Sequence, residues 1–551
     1  MKYILIFFLF LSGAEVLPAQ GQGNNPLENV LISTTQRKTQ VRTNEKGELL
    51  INVSSTDLLR FKNQGLVRYS DFGARGDGKT DDIDPIAATH AVANQQGLKV
   101  KADEGAIFYI SGKARTAVIQ TDTDFGTAEF IIDDTEVEDR TVPIFLVSSS
   151  LQEFDLKGLS SLKRNQEKID VSLPGPSLIT VTDANVRRYI RYGPNQNDGS
   201  PQTDIFIVDK DGNVDQNAPI IWDFDQITDI TTIPIDETGL TISGGRFTTL
   251  ANQAESKYTY YSRGITIRRS NVLLEGLEHH VTGEGEHGAP YGGFLNFRDC
   301  SNVTVRNSIL TGHKTYQTIG SAGVPVSMGS YDISLSRSLN VSFEHCSQTN
   351  DINDRTYWGI MGSNFCKNLI LNHCTFSRFD AHMGVANATI RNSTLGHMGI
   401  NAIGTGTFLV ENSTLNGRTL INLRSDYGST WQGEFIIRDC VFVPAGGRTA
   451  SASLIGGSNS GQHDFGYTAY MPERIIIENL HIDDSNQPDD YQGPAIFANF
   501  NPKMTDNSYE EKYPHVRTKE VILKNVTTES GKELRLSDNP YLFKDVKVRK
   551  E

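Results

Sequence analysis

Between Ser301 and Ser425 the chain carries five histidines and nine Lys/Arg against six Asp/Glu, so this stretch is net +3 inside a protein of net −14. Within it, Asn350, Arg355, Arg378 and Arg424 are of the types that neutralise a carboxylate. His382 or His397 can take a proton, and Tyr357 or the same histidine can return one. His313, Lys314 and Arg418 add donors and positive charge that would hold an anion. Together these types suit removal of a weakly acidic proton beside a carboxylate, with a leaving oxygen to protonate: β-elimination at a uronic acid. A positive stretch on an acidic chain steers an anionic ligand to one place, and the overall acidity argues against nucleic acid as a partner.

Such groups cooperate only if the fold brings them to one face, and the sequence repeats itself in a way that would. Segments such as "VTVRNSIL", "LILNHCTF", "ATIRNSTL" and "FLVENSTL" align with five others, with Gly276, Asn307, His345, His373, Asn392, Asn412, Asp439, Asn479 and Asn525 as matched positions. Each alternates apolar and polar residues and is rich in β-branched types, so each reads as a strand. The shortest steps are close to twenty residues and no helical pattern separates neighbours, which leaves a β-solenoid. The matched Asn suits a left-handed bend at a strand end. The following residue is Ser308, Cys346, Cys374, Ser393, Ser413 or Cys440, a column of small inward residues, and Cys300 and Cys366 fall in a second. The five cysteines thus read as core residues, not as disulfides or metal ligands. Five or six places past the matched position stand His313, Asn350 with Asp351, Arg378, His397 and Arg418. Stacked at about 4.8 Å per coil, they span roughly 19 Å, enough for several sugar rings. Loops nearby add Lys314, Tyr316, Arg355, Tyr357, Trp358, His382 and Arg424.

The first residues, "MKYILIFFLF" and onward, read as a secretory leader too short to span a bilayer, which places the mature protein in the periplasm or outside the cell. Further on, "DFGARGDGKTDD" (Asp71 to Asp82) precedes a helical pattern from Ile86 to Asn94 and the strand "AIFYISG". This order resembles the N-terminal signature of the pectate-lyase/polygalacturonase superfamily, over Val67 to about Gly112, and the later coils extend the likeness. The resemblance implies an all-β fold, a right-handed parallel β-helix (solenoid) with an N-terminal capping helix. It also implies an anionic polysaccharide as partner. On this reading the chain divides into a leader at 1–19, a leading segment at 20–66, the cap and first coils at 67–120, an inserted β-rich subdomain at 121–241, and a parallel β-helix with long loops at 242–551. A monomer is expected, with no membrane partner.

The superfamily includes lyases, hydrolases and depolymerases, so the residues must choose among them. A metal-independent polysaccharide lyase is the leading expectation, acting on a glycosaminoglycan such as chondroitin or hyaluronan, or on pectin. Many relatives use Ca²⁺ with a Lys or Arg base, for which Lys314 and Asp351 or Asp354 would serve; the acidic turn "DKDGNVD" is a weaker calcium candidate. A polygalacturonase-like hydrolase is the alternative. "TND" at Thr349 to Asp351, Asp380 and "GHMG" at Gly396 to Gly399 follow that family's order, but its adjacent aspartates and its Arg-x-Lys are missing, and "NLR" at Asn422 to Arg424 is only an echo. A non-catalytic carbohydrate-binding adhesin is the third reading.

Overall fold

A computed structural model describes residues 30–34, 38–254, 260–285, 291–446 and 452–551; the expected leader lies outside them. Most strands join one continuous sheet of parallel ladders that winds into a β-helix. The repeat explains why. In one ladder Leu274, Val305, Phe343, Leu371, Ile390, Val410, Ile437, Ile477 and Leu523 lie in register on successive coils. All are buried, so each coil covers the apolar side chains of the next and the stack makes one core.

The corners are set by backbone chemistry. All nine matched positions have positive φ, from 46° to 69°, a conformation that Asn and Gly tolerate best. A second corner is an asparagine ladder. Asn271, Asn302, Asn340, Asn368 and Asn387 all have φ of 54–58°, and each amide after the first donates to the one a coil before at 2.8–3.2 Å. The five cysteines are free and buried, and Cys374 and Ser393 continue the inward column: the Cys374 N–H donates to Ser393 Oγ at 3.0 Å.

The first coil is covered by helix α2 (Ile83–Gln96), longer at both ends than the Ile86–Asn94 pattern and buried on nearly every side. Asp82 begins it without capping it. Its carboxylate instead accepts the N–H groups of Arg75 and Gly76 at 2.7 and 3.0 Å and closes the glycine turn before the helix. The leading segment holds three strands, Val30–Ser33, Gln40–Thr43 and Leu49–Ser54, and a helix the repeat does not reveal, α1 (Ser55–Gln64), N-capped by Ser54. Their buried residues belong to the same core as the coils.

The insertion starts later than the sequence pattern suggests. Strands Thr123–Asp133 and Phe145–Ser148 belong to the solenoid, pairing with Leu240–Leu250 and Ile265–Arg268 beyond the insertion. Residues 149–236 then leave the coil. Ser177–Arg188, Ser200–Val208 and Asp229–Pro234 form an antiparallel sheet over a separate core that includes Phe206 and Phe224. This unit lies on the solenoid through Leu178, Ile205 and Ile233 against Leu339. A buried ion pair, Lys367 Nζ to Asp204 Oδ1 at 2.8 Å, pins it there. The acidic turn is self-contained: Asp209 accepts from Asp211, Asn213 N–H and Asn213 Nδ2.

Candidate functional site

Strand Thr375–Arg391 crosses a face of the coil and places Arg378, Asp380 and His382 at period-2 spacing on its outer side. Arg378 and Asp380 are buried, while His382 is partly exposed. Arg378 Nη2 lies 2.5 Å from Asp380 Oδ2, and both side chains are almost inaccessible. The guanidinium stands 5.6 Å from the Trp358 ring. It reaches there because residue 359 is glycine: a Cβ would fall 2.1 Å from Arg378 Cδ. Asn401, opposite Asp380 on the next coil, accepts from Arg378 Nε and Nη2 at 3.0 Å each when its amide oxygen faces the arginine. Burial raises the Asp380 pKa against the pull of Arg378 and Arg424.

His382 is held from two sides. Its Nδ1 lies 2.7 Å from Asn364 Oδ1 and its Nε2 3.4 Å from Tyr427 Oη. Since an amide oxygen only accepts, the proton sits on Nδ1 and Nε2 carries the lone pair. Burial, and then the charges of Arg424 and Arg191, push the imidazole well below its ordinary pKa, so it is neutral. Opposite stands the short turn Ser425–Tyr427, closed by Gly428 at φ 84°. Asp426 there is gripped by Arg424, Nε at 3.0 Å and Nη2 at 2.5 Å, and by Arg191 Nε at 2.7 Å. Although burial alone would raise its pKa, these cations hold it down at about 2. Both guanidiniums lie 5.2 Å from the Tyr427 ring. Three guanidiniums thus meet two carboxyls, one of them with a raised pKa.

The expected residues divide among three places. Arg378, His382 and Arg424 meet in this cluster. His397, Arg355, Tyr357, Lys314 and Arg418 stand outside it, on loops, bends and a bulge. Phe376 pairs with Leu395 but Arg378 with Gly399, so two extra residues throw His397 out of line, and its N–H and Nδ1 both reach Ile352 O, at 3.1 and 3.0 Å. The single column drawn from the sequence therefore does not exist: Arg378 and His397 occupy different registers. Lys314 and Tyr357 bridge two loops through their backbones, and Arg355 and Arg418 are exposed. Asn350 faces none of these; its oxygen accepts from Gly312 N at 3.0 Å and Gln348 Nε2 at 2.9 Å, tying loops together. His313 is in the interior, not on the surface. Its Nδ1 lies 3.0 Å from Glu284 and its Nε2 3.3 Å from Asp332, which also holds the buried His279 at 2.8 Å. Burial would lower the His313 pKa, but Asp332 and Glu284 outweigh it and raise it to about 9.

The positive stripe is also smaller than the sequence count. Arg306, Arg337, Lys367, Arg378 and Arg424 are in ion pairs, several with acids outside the counted stretch. Asp351 and Asp354 turn their carboxylates onto N–H groups of their own loop, and among the described residues no group of three or more His, Cys, Asp or Glu is arranged to hold a metal ion. No helix of the described residues is long and apolar enough to cross a membrane. Three partners were not foreseen. Asp426 and Tyr427 directly follow Arg424 as "SDYG", a polar turn closed by glycine that could have flagged them. Arg191 comes from the insertion, 235 residues before Asp426, and nothing local marks it.

No protein-family model matches the chain, and no curated protein matches it. Solved structures do. The tailspike gp61 of Pseudomonas phage phi297 has 13% identity and a TM-score of 0.49, over 84% of this chain and 80% of that one. The Gp54 tailspike of Acinetobacter baumannii bacteriophage AP22, solved with a capsular saccharide, has 10% identity and a TM-score of 0.49, over 92% and 81%. An exopolygalacturonase from Thermotoga maritima has 12% identity and a TM-score of 0.37, over 84% and 88%. At such identities no residue role passes from them to this chain.

Proposed function

We propose that the protein is an exported, monomeric, carbohydrate-active enzyme that cleaves a uronate-containing polysaccharide by β-elimination at the His382–Tyr427 cluster. One observation carries this reading: a neutral histidine, fixed in one tautomer with its lone pair toward a tyrosine, stands among guanidiniums in excess of carboxyls. The excess charge suits the substrate carboxylate and the enolate that forms as the adjacent proton leaves. His382 Nε2 takes that proton. The electron pair left behind becomes the carbon–carbon double bond as the bond to the leaving sugar oxygen breaks. Tyr427, whose pKa burial raises, stays protonated and gives its proton to that oxygen. The imidazolium then returns a proton to the tyrosinate, so the site ends as it began. Glycosaminoglycans and pectin both offer the required uronate.

A panel of chondroitin, hyaluronan and pectin, followed by the ultraviolet absorbance of unsaturated uronate with and without chelator, tests this. The expected result is new absorbance on at least one polymer. His382→Ala should lower kcat by about 10²-fold or more, the usual worth of a general base, while binding persists. One observation favours a second reading. The Asp380 pKa is raised and that of Asp426 depressed, the separation a hydrolase needs between its acid and its base. New reducing ends without ultraviolet absorbance would establish that reading and remove the first; binding without either product would make the protein a carbohydrate-binding module.

A further inference from the structure

Behind the His382–Tyr427 cluster, where the insertion meets the solenoid, lies a cavity of about 220 Å³. The insertion supplies Arg164, Arg188 and Trp222, and the coils supply Thr405, Gln432 and Tyr470. Tyr189 and Tyr467 form its wall toward the cluster; the two rings lie 5.2 Å apart, and Tyr467 Oη donates to the Tyr427 carbonyl. Gly384 lets the wall close, since a Cβ there would come within 2.7 Å of Tyr189 Oη.

The charges in this cavity are unbalanced. No Asp or Glu lines it. Arg188 is half-buried and stands 4.3 Å over the Trp222 ring. All its hydrogen bonds go to neutral oxygens: Gln202 Oε1 at 2.9 and 2.6 Å, and Gly466 O at 2.8 Å. Arg164 reaches Gln432 Oε1 at 3.0 Å and, like Arg188, has no ion pair among the described residues. Arg188 is partly taken from water without a counter-charge, which is costly, and an anion entering the cavity would relieve that cost; Arg164 adds its charge from an exposed position. Aromatic rings beside hydroxyl and amide groups suit a ring with an apolar face and hydroxyl edges.

We propose that this cavity binds one uronate unit of an acidic saccharide, its carboxylate drawn to Arg164 and Arg188 and its ring packed toward Trp222 and Tyr470. The site holds sugar without breaking it, and it stands whether the neighbouring cluster eliminates, hydrolyses or does neither.

Calorimetric titration of the full chain with D-glucuronate and D-galacturonate, their neutral hexoses, and inorganic sulfate provides the test. At least one uronate should bind saturably and quench tryptophan fluorescence. The matching neutral hexose and sulfate should each bind roughly tenfold more weakly or worse, as loss of a charged hydrogen bond or of the ring contact implies. Arg164→Gln, at an exposed position, should weaken uronate binding by about fivefold or more, in the range of a charge-assisted contact, with the melting temperature unchanged. Trp222→Leu should abolish the quench. The proposal fails if neither uronate binds, if sulfate or the neutral hexose binds as tightly, or if Arg164→Gln leaves affinity intact. Turnover enters none of these readings, so a missing lyase activity and a missing uronate site give separate results.

Discussion

His382 shows how neighbours select a role for one side chain. Burial and two arginines keep it neutral, so as a base it holds its lone pair well into acid, where an ordinary histidine near pH 6.5 would be protonated. The acid limb of kcat/KM should therefore lie below pH 6.5. Arg424→Gln removes a cation that opposes the imidazolium and should move that limb upward toward 6.5; a pH–rate profile reads the shift, and a limb that stays in place would remove His382 as the base. Arg378 can be picked out from its offset in the repeat, whereas His382 and Arg424 read as loop residues by their chemistry alone, and His382 lies instead on the strand Thr375–Arg391. Arg191 was not legible, because its place depends on how the insertion folds back. The fate of His313 was hidden too. From its offset it reads as a surface ligand, yet Asp332 and Glu284 draw it into the interior, where both its nitrogens are engaged.

The corners of the coil were readable because they rest on local backbone chemistry, which the repeat displays nine times. Asn479 is such a corner, with φ 51°, donating to Asp439 at 2.8 Å and accepting from Asn525 at 3.0 Å. Asn479→Ala should lose both bonds and force alanine into a left-handed conformation, at a cost of roughly 1–2 kcal/mol beyond that of Asn479→Gly, which loses only the bonds. Thermal melts of the two variants should separate in that order. Strand boundaries were less readable. Thr123–Asp133 and Phe145–Ser148 have as neighbours strands that follow the insertion, so adjacent sequence offers no counterpart to align. Helix α1 is ten residues long and buries only Phe61 fully, and it precedes the repeat, so no matched segment points to it. The bulge at His397 shifts register by two residues, a change that equal offsets along a sequence conceal.

At the scale of the molecule, buried titratable groups set the pH range of stability. His90 and His515 are desolvated to pKa values of about 3. They bind no proton in the folded state while the unfolded chain binds one at each, so stability falls as pH drops below about 6.5. His382, also held neutral, adds to that fall, whereas Asp134, raised to about 7 by burial, and Asp380, raised by burial as well, act the other way over part of that range. His313 works above it: raised to about 9, its contribution is complete below pH 6.5 and is lost as pH rises through 9. The melting temperature should peak near pH 6.5, and His313→Gln should flatten the alkaline decline; a decline that persists unchanged would mean that some other group is responsible. The docked insertion has a different bearing on the whole. A stack of coils that touch only their neighbours can come apart a layer at a time, like an unzipping spring. The unit at 149–236 grips the wall at Leu339, Lys367, Gln432 and Gly466 together, several windings apart, and so acts as a splint: the windings beneath it must open as a block, and the floor they give to His382 and Arg424 stays rigid until that block yields.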